Sequence, residues 1–253
     1  MVDNLYVDFS QKCELISLGN IPDWKNNITV HHMLEHVQGN DAKIFLEKLV
    51  EEGINIDDIQ RYCFMVDAIG CPSVYEYNVS GRKIVSSPTC IRYLYYANEI
   101  FKHLPFMNDF SLAEIGAGYG GSIVALDFII KLKGYSKNLK YHVLDIPQVQ
   151  LLQAFYLKHF DISLSVIFED CFQHGKNLEN IFVISNYCIS EIGDDNRNSY
   201  FSNLIIPKCI GGYFVWNSGA SIDPISNNFL ITSIKDESPK TGLLNKVIIF
   251  SKQ

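Results

Sequence analysis

From about Leu112 onward the chain alternates short apolar runs with polar-patterned stretches of helical length, the arrangement of strands and helices wound around a parallel sheet. The strands are expected at SLAEI (111–115), KYHVLD (140–145), LSVIF (164–168), IFVISN (181–186) and GGYFVW (211–216). Helical spacing fills 121–133, 149–159 and 196–206. Two further β-rich segments, FLITSIKD (229–236) and NKVIIFSK (245–252), follow with no good helix between them, which predicts a terminal antiparallel pair. The first hundred residues have another texture. KIFLEKLVEEG (43–53) and IRYLYYANEIFKHL (91–104) carry apolar positions suited to one-sided burial. Gly53 is the expected stop of the first, and Ser86, Ser87, Pro88 and Thr89 the entry to the second. VYEYNVSGRKIV (74–85) reads as an extended pair turning at Ser80-Gly81. The pattern therefore predicts a mainly helical N-terminal extension over 1–105, a lid contributing to the acceptor side of a site, and an α/β domain over 106–253.

A length of 253 residues suits one full α/β domain with a modest addition. Hydrophobic content of 47% against 19% charged residues excludes a mostly disordered chain. The net charge of -7, without a basic stripe, argues against a nucleic-acid partner, because that affinity rests on Lys and Arg neutralising phosphates. No apolar run approaches the roughly 18 to 20 residues that cross a bilayer, and the polar start MVDNLYVDFSQ lacks the features of a leader, so no membrane partner and a cytoplasmic location are expected. The seven cysteines are scattered without a CxxC pair, which points to neither zinc nor a disulfide framework.

The strongest local signal is EIGAGYGGS (114–122), placed after the first expected strand of the α/β region and before a helix. Gly116, Gly118 and Gly120 allow a tight turn and close backbone approach to a ligand at a helix N-terminus. A dinucleotide loop has its third glycine three residues beyond the second; here the glycines alternate, and Glu114 stands two places before the first. That carboxylate would repel a diphosphate and suits an ammonium group, met through water or backbone. Asp145 closes the next strand, where it can accept hydrogen bonds from both hydroxyls of a ribose, or cap the helix opening at Pro147. Ile146 offers an apolar face to adenine. Asp170 ends the third strand, where it can accept the adenine amino proton or serve as a turn residue, and Cys171 is a backbone-donor position. These acids lie on successive strand ends, where open α/β sheets bind ligands.

EIGAGYGGS (114–122), YHVLDIPQVQLLQAFYL (141–157) and ISNYCISEI (184–192) followed by Tyr200-Phe201 together resemble the sugar O-methyltransferase family of class I methyltransferases, over about residues 86–217. The resemblance implies a Rossmann-like class I methyltransferase fold, with a seven-stranded, mostly parallel sheet and an antiparallel C-terminal strand. It also implies methyl transfer from S-adenosylmethionine, leaving S-adenosylhomocysteine, to a hydroxyl of a nucleotide sugar or glycan terminus, with a deoxyhexose such as rhamnose among the candidates. Glu114, Gly116, Gly118 and Asp145 carry over as cofactor contacts, joined by Ala117, Tyr119 and Gly120 of the same loop. The chain departs at Ala117, where the family often has glycine, and at Ile192, where methionine is common.

A sugar hydroxyl is a poor nucleophile at neutral pH, so a nearby base or a metal is expected. Glu191 follows the fourth strand on the ligand side and is the first choice of base, the alternative being a carboxylate that satisfies a helix N-terminus. His32 is a second candidate: with His31 and His36 it sits in VHHMLEHV, where His32 and His36 share a helical face. Only Glu35 stands near them as a further ligand, so no metal site is expected, and a divalent metal is allowed but unsupported. Asn186 would contact the methionine portion or orient the acceptor. Tyr119 and Tyr187 are candidates to close over sulfonium and sugar, since aromatic faces suit cations and pyranose C–H faces. Arg92, Tyr93, Tyr96 and Asn217 complete the acceptor-side candidates; the alternative for the first three is a packed, partly solvated helix, and for Asn217 a turn residue after a buried Trp216. Three further readings remain: another class of methyl acceptor, small molecule or protein; a non-catalytic cofactor-binding scaffold; and, more distantly, a NAD-dependent reductase.

Overall fold

The computed structural model describes residues 2–35, 37–106, 109–135, 138–217, 219–240 and 244–252, with side chains from residue 5. They form two compact units, each assembled from three stretches of chain.

The first unit comprises Met1–Phe101, Gly118–Tyr135 and Pro147–Ile162. It holds α1 (Val2–Ser17), α2 (Ile28–Leu34), α3 (Gly39–Glu51), α4 (Ile56–Asp67), most of α5 (Pro88–His103), α6 (Gly121–Leu132) and α7 (Pro147–Leu157), with the hairpin β1 (Tyr75–Val79) and β2 (Arg82–Ser86). Local chemistry sets the helix starts. Asn27 and Asn55 cap α2 and α4 by accepting the backbone N–H of Thr29 and Asp57. Pro147 opens α7, where its missing N–H is of no consequence. The hairpin turns on Ser80 and Gly81, both left-handed, as a two-residue turn between right-twisted strands requires. The entry to α5 falls on the Ser-Ser-Pro-Thr stretch: Asp67 accepts from the Ser87 N–H at 2.8 Å, the Ser87 hydroxyl at 2.6 Å and the Ser86 hydroxyl at 2.7 Å. α5 is buried on nearly every face, so its amphipathic spacing understates its burial. α1 packs along α7 and against α2.

The second unit comprises Lys102–Ala117, Ser136–Ile146 and Ser163–Gln253. Its seven strands are β3 (Ser111–Ile115), β4 (Lys140–Asp145), β5 (Ser165–Asp170), β6 (Ile181–Asn186), β7 (Cys209–Trp216), β8 (Leu230–Asp236) and β9 (Lys246–Ser251). Their order is β5-β4-β3-β6-β7-β9-β8. The first five pair in parallel; β9 runs antiparallel to both β7 and β8. The expected seven-stranded, mostly parallel sheet with antiparallel closure is present. β3 and β6 are apolar runs because central parallel strands are buried on both faces. β8, at an edge, is largely exposed. The order reverses between β3 and β6, the switch point where open sheets leave a crevice beyond their carboxyl ends. α8 (Cys188–Glu191) and α9 (Asp194–Tyr200) follow β6.

The helix expected over 196–206 is broken. α9 ends at Tyr200, a π-helical turn occupies Phe201–Ile205, and Ile206–Lys208 closes it. Pro207 has no N–H for the carbonyl four residues back, so the regular ladder cannot continue through it. No helix among the described residues is long and apolar enough to cross a membrane.

Candidate functional site

In the second unit the strand ends bring several expected residues into one network. Gly116 follows β3 with φ +75, and a Cβ there would lie 2.3 Å from Cys188 Cβ and 2.4 Å from its Sγ. Only glycine accepts both that backbone and that contact. Asp145 fastens the loop from the neighbouring strand: Oδ2 accepts the Ala117 N–H at 3.1 Å and Oδ1 the Ile146 N–H at 2.9 Å. It is half-buried. Glu114 is 1% exposed and accepts from Tyr141 OH at 2.7 Å. It stands inside the sheet. Asp170 is exposed and accepts the Phe172 N–H at 2.9 Å, capping the turn Cys171–Gln173. Partial burial, with Asp145 and Asp170 nearby, pushes the Cys171 thiol up to about 11, so it stays protonated at neutral pH.

Beyond β6, Asn186 presents a buried Oδ1 with no hydrogen-bond partner among the described residues. Tyr187 has φ 72 and ψ -40, an unfavourable backbone for a residue with a side chain. It is held there because its N–H donates to Val215 O at 2.8 Å and its carbonyl accepts from the Ser190 N–H at 2.9 Å and hydroxyl at 2.6 Å. Its phenol donates to Glu237, which also accepts from Asn245 at 3.0 Å. Glu191 and Asn217 come together: Asn217 Nδ2 donates to Glu191 Oε1 at 2.5 Å, and its N–H to Ser190 Oγ at 3.0 Å. Desolvation raises the Glu191 carboxyl above the ordinary carboxylate range, and the Asn217 bond partly opposes this. Trp216 is buried and donates to Ala220 O at 2.8 Å.

The first unit holds the rest of the glycine loop. Gly118 is left-handed, its carbonyl accepts from Gln153 Nε2 at 2.9 Å, and a Cβ would meet Leu34 at 3.2 Å and the Tyr93 hydroxyl at 3.3 Å. Gly120 precedes α6. Tyr119 is fully buried, edge-on to Trp24, Tyr93 and Tyr156 at ring separations of 5.1, 5.6 and 5.0 Å. Lys25, 1% exposed, lies 5.0 to 5.5 Å from the rings of Tyr119, Tyr156 and Trp24 and donates to Val66 O at 3.2 Å. Glu35 is buried beside this cluster and its carboxyl is raised, chiefly by desolvation, against the lowering fields of Lys25 and Arg92. Arg92 is buried over the Tyr93 ring, with Leu34 O 3.4 Å from Nη2. Tyr96 packs on Phe45 and Tyr95. His32 is exposed on α2, and His36 lies outside the described residues. No group of three or more His, Cys, Asp or Glu side chains able to hold a metal occurs among the described residues.

Sequence reasoning singled out neither Lys25 nor Cys188, and it treated Glu35 only as a neighbour of histidines. Gly116 was expected to allow close approach of a ligand, and the atoms that meet it are those of Cys188.

The strand order, antiparallel closure and glycine loop at the switch point define the Rossmann-like fold of class I methyltransferases. The chain matches no protein-family model and no curated protein sequence. It is similar in fold to TrmK of M. capricolum in complex with S-adenosyl-homocysteine, at 14% identity, covering 62% of this chain and 67% of that one with a TM-score of 0.42. It is also similar to the glycopeptide N-methyltransferase MtfA, at 10% identity over 62% and 94% of the two chains with a TM-score of 0.43. The 1320 protein of Thermoplasma acidophilum has 8% identity, covering 79% and 98%, with a TM-score of 0.46. Likenesses at this level are loose ones.

Proposed function

We propose that the chain is an S-adenosylmethionine-dependent O-methyltransferase whose acceptor is a sugar hydroxyl, on a nucleotide sugar or a glycan terminus. The observation that carries the cofactor half is Asp145, a carboxylate ending β4 and bonded to the glycine loop through Ala117. An acid in that position favours ribose hydroxyls, and Glu114, two places before the first glycine, disfavours a diphosphate. The residues also fit such a ligand by what they leave open: Asn186 Oδ1 is buried without a hydrogen-bond partner among the described residues. Glu114, Gly116, Ala117, Asp145, Ile146, Asp170, Cys171 and Asn186 are the proposed cofactor residues of the second unit. Gly118, Tyr119 and Gly120 are those of the first.

When bound, the cofactor supplies a methyl group on a sulfonium centre. Glu191 takes the proton of the acceptor hydroxyl as its oxygen becomes methylated, and Asn217 holds the carboxylate in orientation. A raised carboxyl is a better base than an ordinary one once ionised. The extension 1–105, expected to serve the acceptor side, supplies Arg92, Tyr96 and His32 as candidates; the first two are buried and His32 is exposed.

A second reading, an acceptor of another class, is favoured by the aromatic residues. Tyr119 and Tyr96 are buried, and Tyr187 is tied to Glu237, so none presents an open face for a pyranose. Thermal shift with S-adenosylhomocysteine against NADH tests the cofactor, with stabilisation by NADH alone overturning it. Labelled S-adenosylmethionine with nucleotide sugars, free glycosides and non-sugar alcohols tests the acceptor. Transfer to non-sugars alone supports the second reading, and no transfer supports a scaffold.

A further inference from the structure

Within the second unit a polar network joins the base of the last hairpin to the segment that follows β6. Glu237, directly after β8, and Asn245, directly before β9, close the hairpin: the Glu237 N–H donates to Asn245 O at 2.8 Å, and the Asn245 side chain donates to Glu237 Oε2 at 3.0 Å. The other carboxylate oxygen accepts from the Tyr187 phenol, 50 positions earlier in the chain. Glu237 is 1% exposed, a depth at which a carboxylate is kept only when donors surround it. The backbone bond closes the hairpin by itself, so what the acid adds is the tie to Tyr187.

Tyr187 is where the chain leaves β6. Its φ of 72 and ψ of -40 are disfavoured for any residue with a Cβ and persist only where the surroundings impose them. The main chain is held on one side by Val215 O and on the other by Ser190, whose hydroxyl donates to Tyr187 O at 2.6 Å and accepts the Asn217 N–H at 3.0 Å. Three placements depend on that reversal. Asn186, one residue before it, carries a buried Oδ1 with no hydrogen-bond partner among the described residues; Cys188, one residue after it, lies against Gly116; and Glu191, at the end of α8, meets Asn217.

We infer that Glu237 is a positioning residue: through the Tyr187 phenol it locks the reversed backbone after β6 and so aims Asn186 Oδ1 at the cofactor. The inference rests on the reading that S-adenosylmethionine is that cofactor. With the phenol released, Tyr187 can relax towards an ordinary backbone, which turns the peptide joining it to Asn186 and carries Oδ1 away. The hairpin thereby governs a cofactor contact through a side chain that does not itself touch the ligand.

Calorimetric titration with S-adenosylhomocysteine tests this. Tyr187→Phe removes only the hydroxyl and Glu237→Leu the whole carboxyl, and each should weaken binding by about three-fold or more. Glu237→Gln keeps an oxygen for the phenol and should bind nearly as the wild-type chain does. Asn186→Ala should also weaken binding, and adding Tyr187→Phe to it should cost nothing further, since the atom being aimed is gone. A tie that serves the fold alone would give the same loss with or without the Asn186 side chain. That result, or unchanged affinity in Tyr187→Phe, would overturn the inference alone. Failure of the wild-type chain to bind S-adenosylhomocysteine would overturn the cofactor reading and this inference with it.

Discussion

Asn217, just past β7, donates a 2.5 Å hydrogen bond to the carboxyl of Glu191 at the end of α8, joining two residues that lie 26 positions apart in the chain. As the proposed base, Glu191 acts in its ionised form. Glu191→Gln is expected to lower kcat by 10²-fold or more, in the range of lost general-base catalysis, with cofactor affinity retained. Full turnover in single-turnover assays would remove Glu191 from the role.

The same pair sets a pH dependence. Desolvation raises the Glu191 carboxyl, so kcat should rise with pH through a value above the ordinary 4.5. Asn217 favours the charged form. Asn217→Ala should therefore move the acidic limb of the kcat profile to higher pH, and a shift to lower pH would contradict the assignment.

Asp145→Ala removes acceptors for two backbone N–H groups as well as the proposed ribose partner. Affinity for S-adenosylhomocysteine should fall roughly 10-fold or more, on the order of 1.5 to 3 kcal/mol for a lost charged hydrogen-bonding pair. Calorimetry reads this directly.

Gly116→Ala places a methyl group on Cys188 and demands a left-handed backbone from alanine. A stability loss of about 1 to 3 kcal/mol in urea unfolding and weaker cofactor binding are expected. Cys188→Ala should not rescue it, because the Cβ, which remains, is itself the closest atom.

Glu35 gives a linkage prediction. Its carboxyl is raised in the folded chain, so between the unfolded and folded values the native state holds the extra proton, and stability falls as pH rises through that window. Glu35→Gln should flatten this part of the pH-stability curve measured by denaturant unfolding. An unchanged slope would place the carboxyl in the ordinary range.

What was legible along the chain was what local chemistry encodes. SLAEI and IFVISN announced central strands because a strand buried on both faces needs an apolar run, and Pro147 and Ser80-Gly81 mark a helix start and a turn through their own backbone needs. The strand-end positions of Glu114, Asp145 and Asp170 followed from the same alternation, since a residue closing a parallel strand is carried to the ligand edge whatever surrounds it. The π-helical turn at Phe201–Ile205 was missed because apolar spacing is blind to a local change in the hydrogen-bond ladder.

The sequence by itself determined the order of strands and helices, the antiparallel closure, and the glycine loop with its flanking acids. Only the tertiary structure decided which side chains those elements enclose. It buried Lys25 and Glu35, polar residues in unremarkable stretches, among rings drawn from distant segments, and it committed Tyr119 to packing and Tyr187 to Glu237. Periodicity reports which face of an element is apolar, whereas the field around a charge depends on several elements meeting at one point, a relation carried by no single stretch of chain.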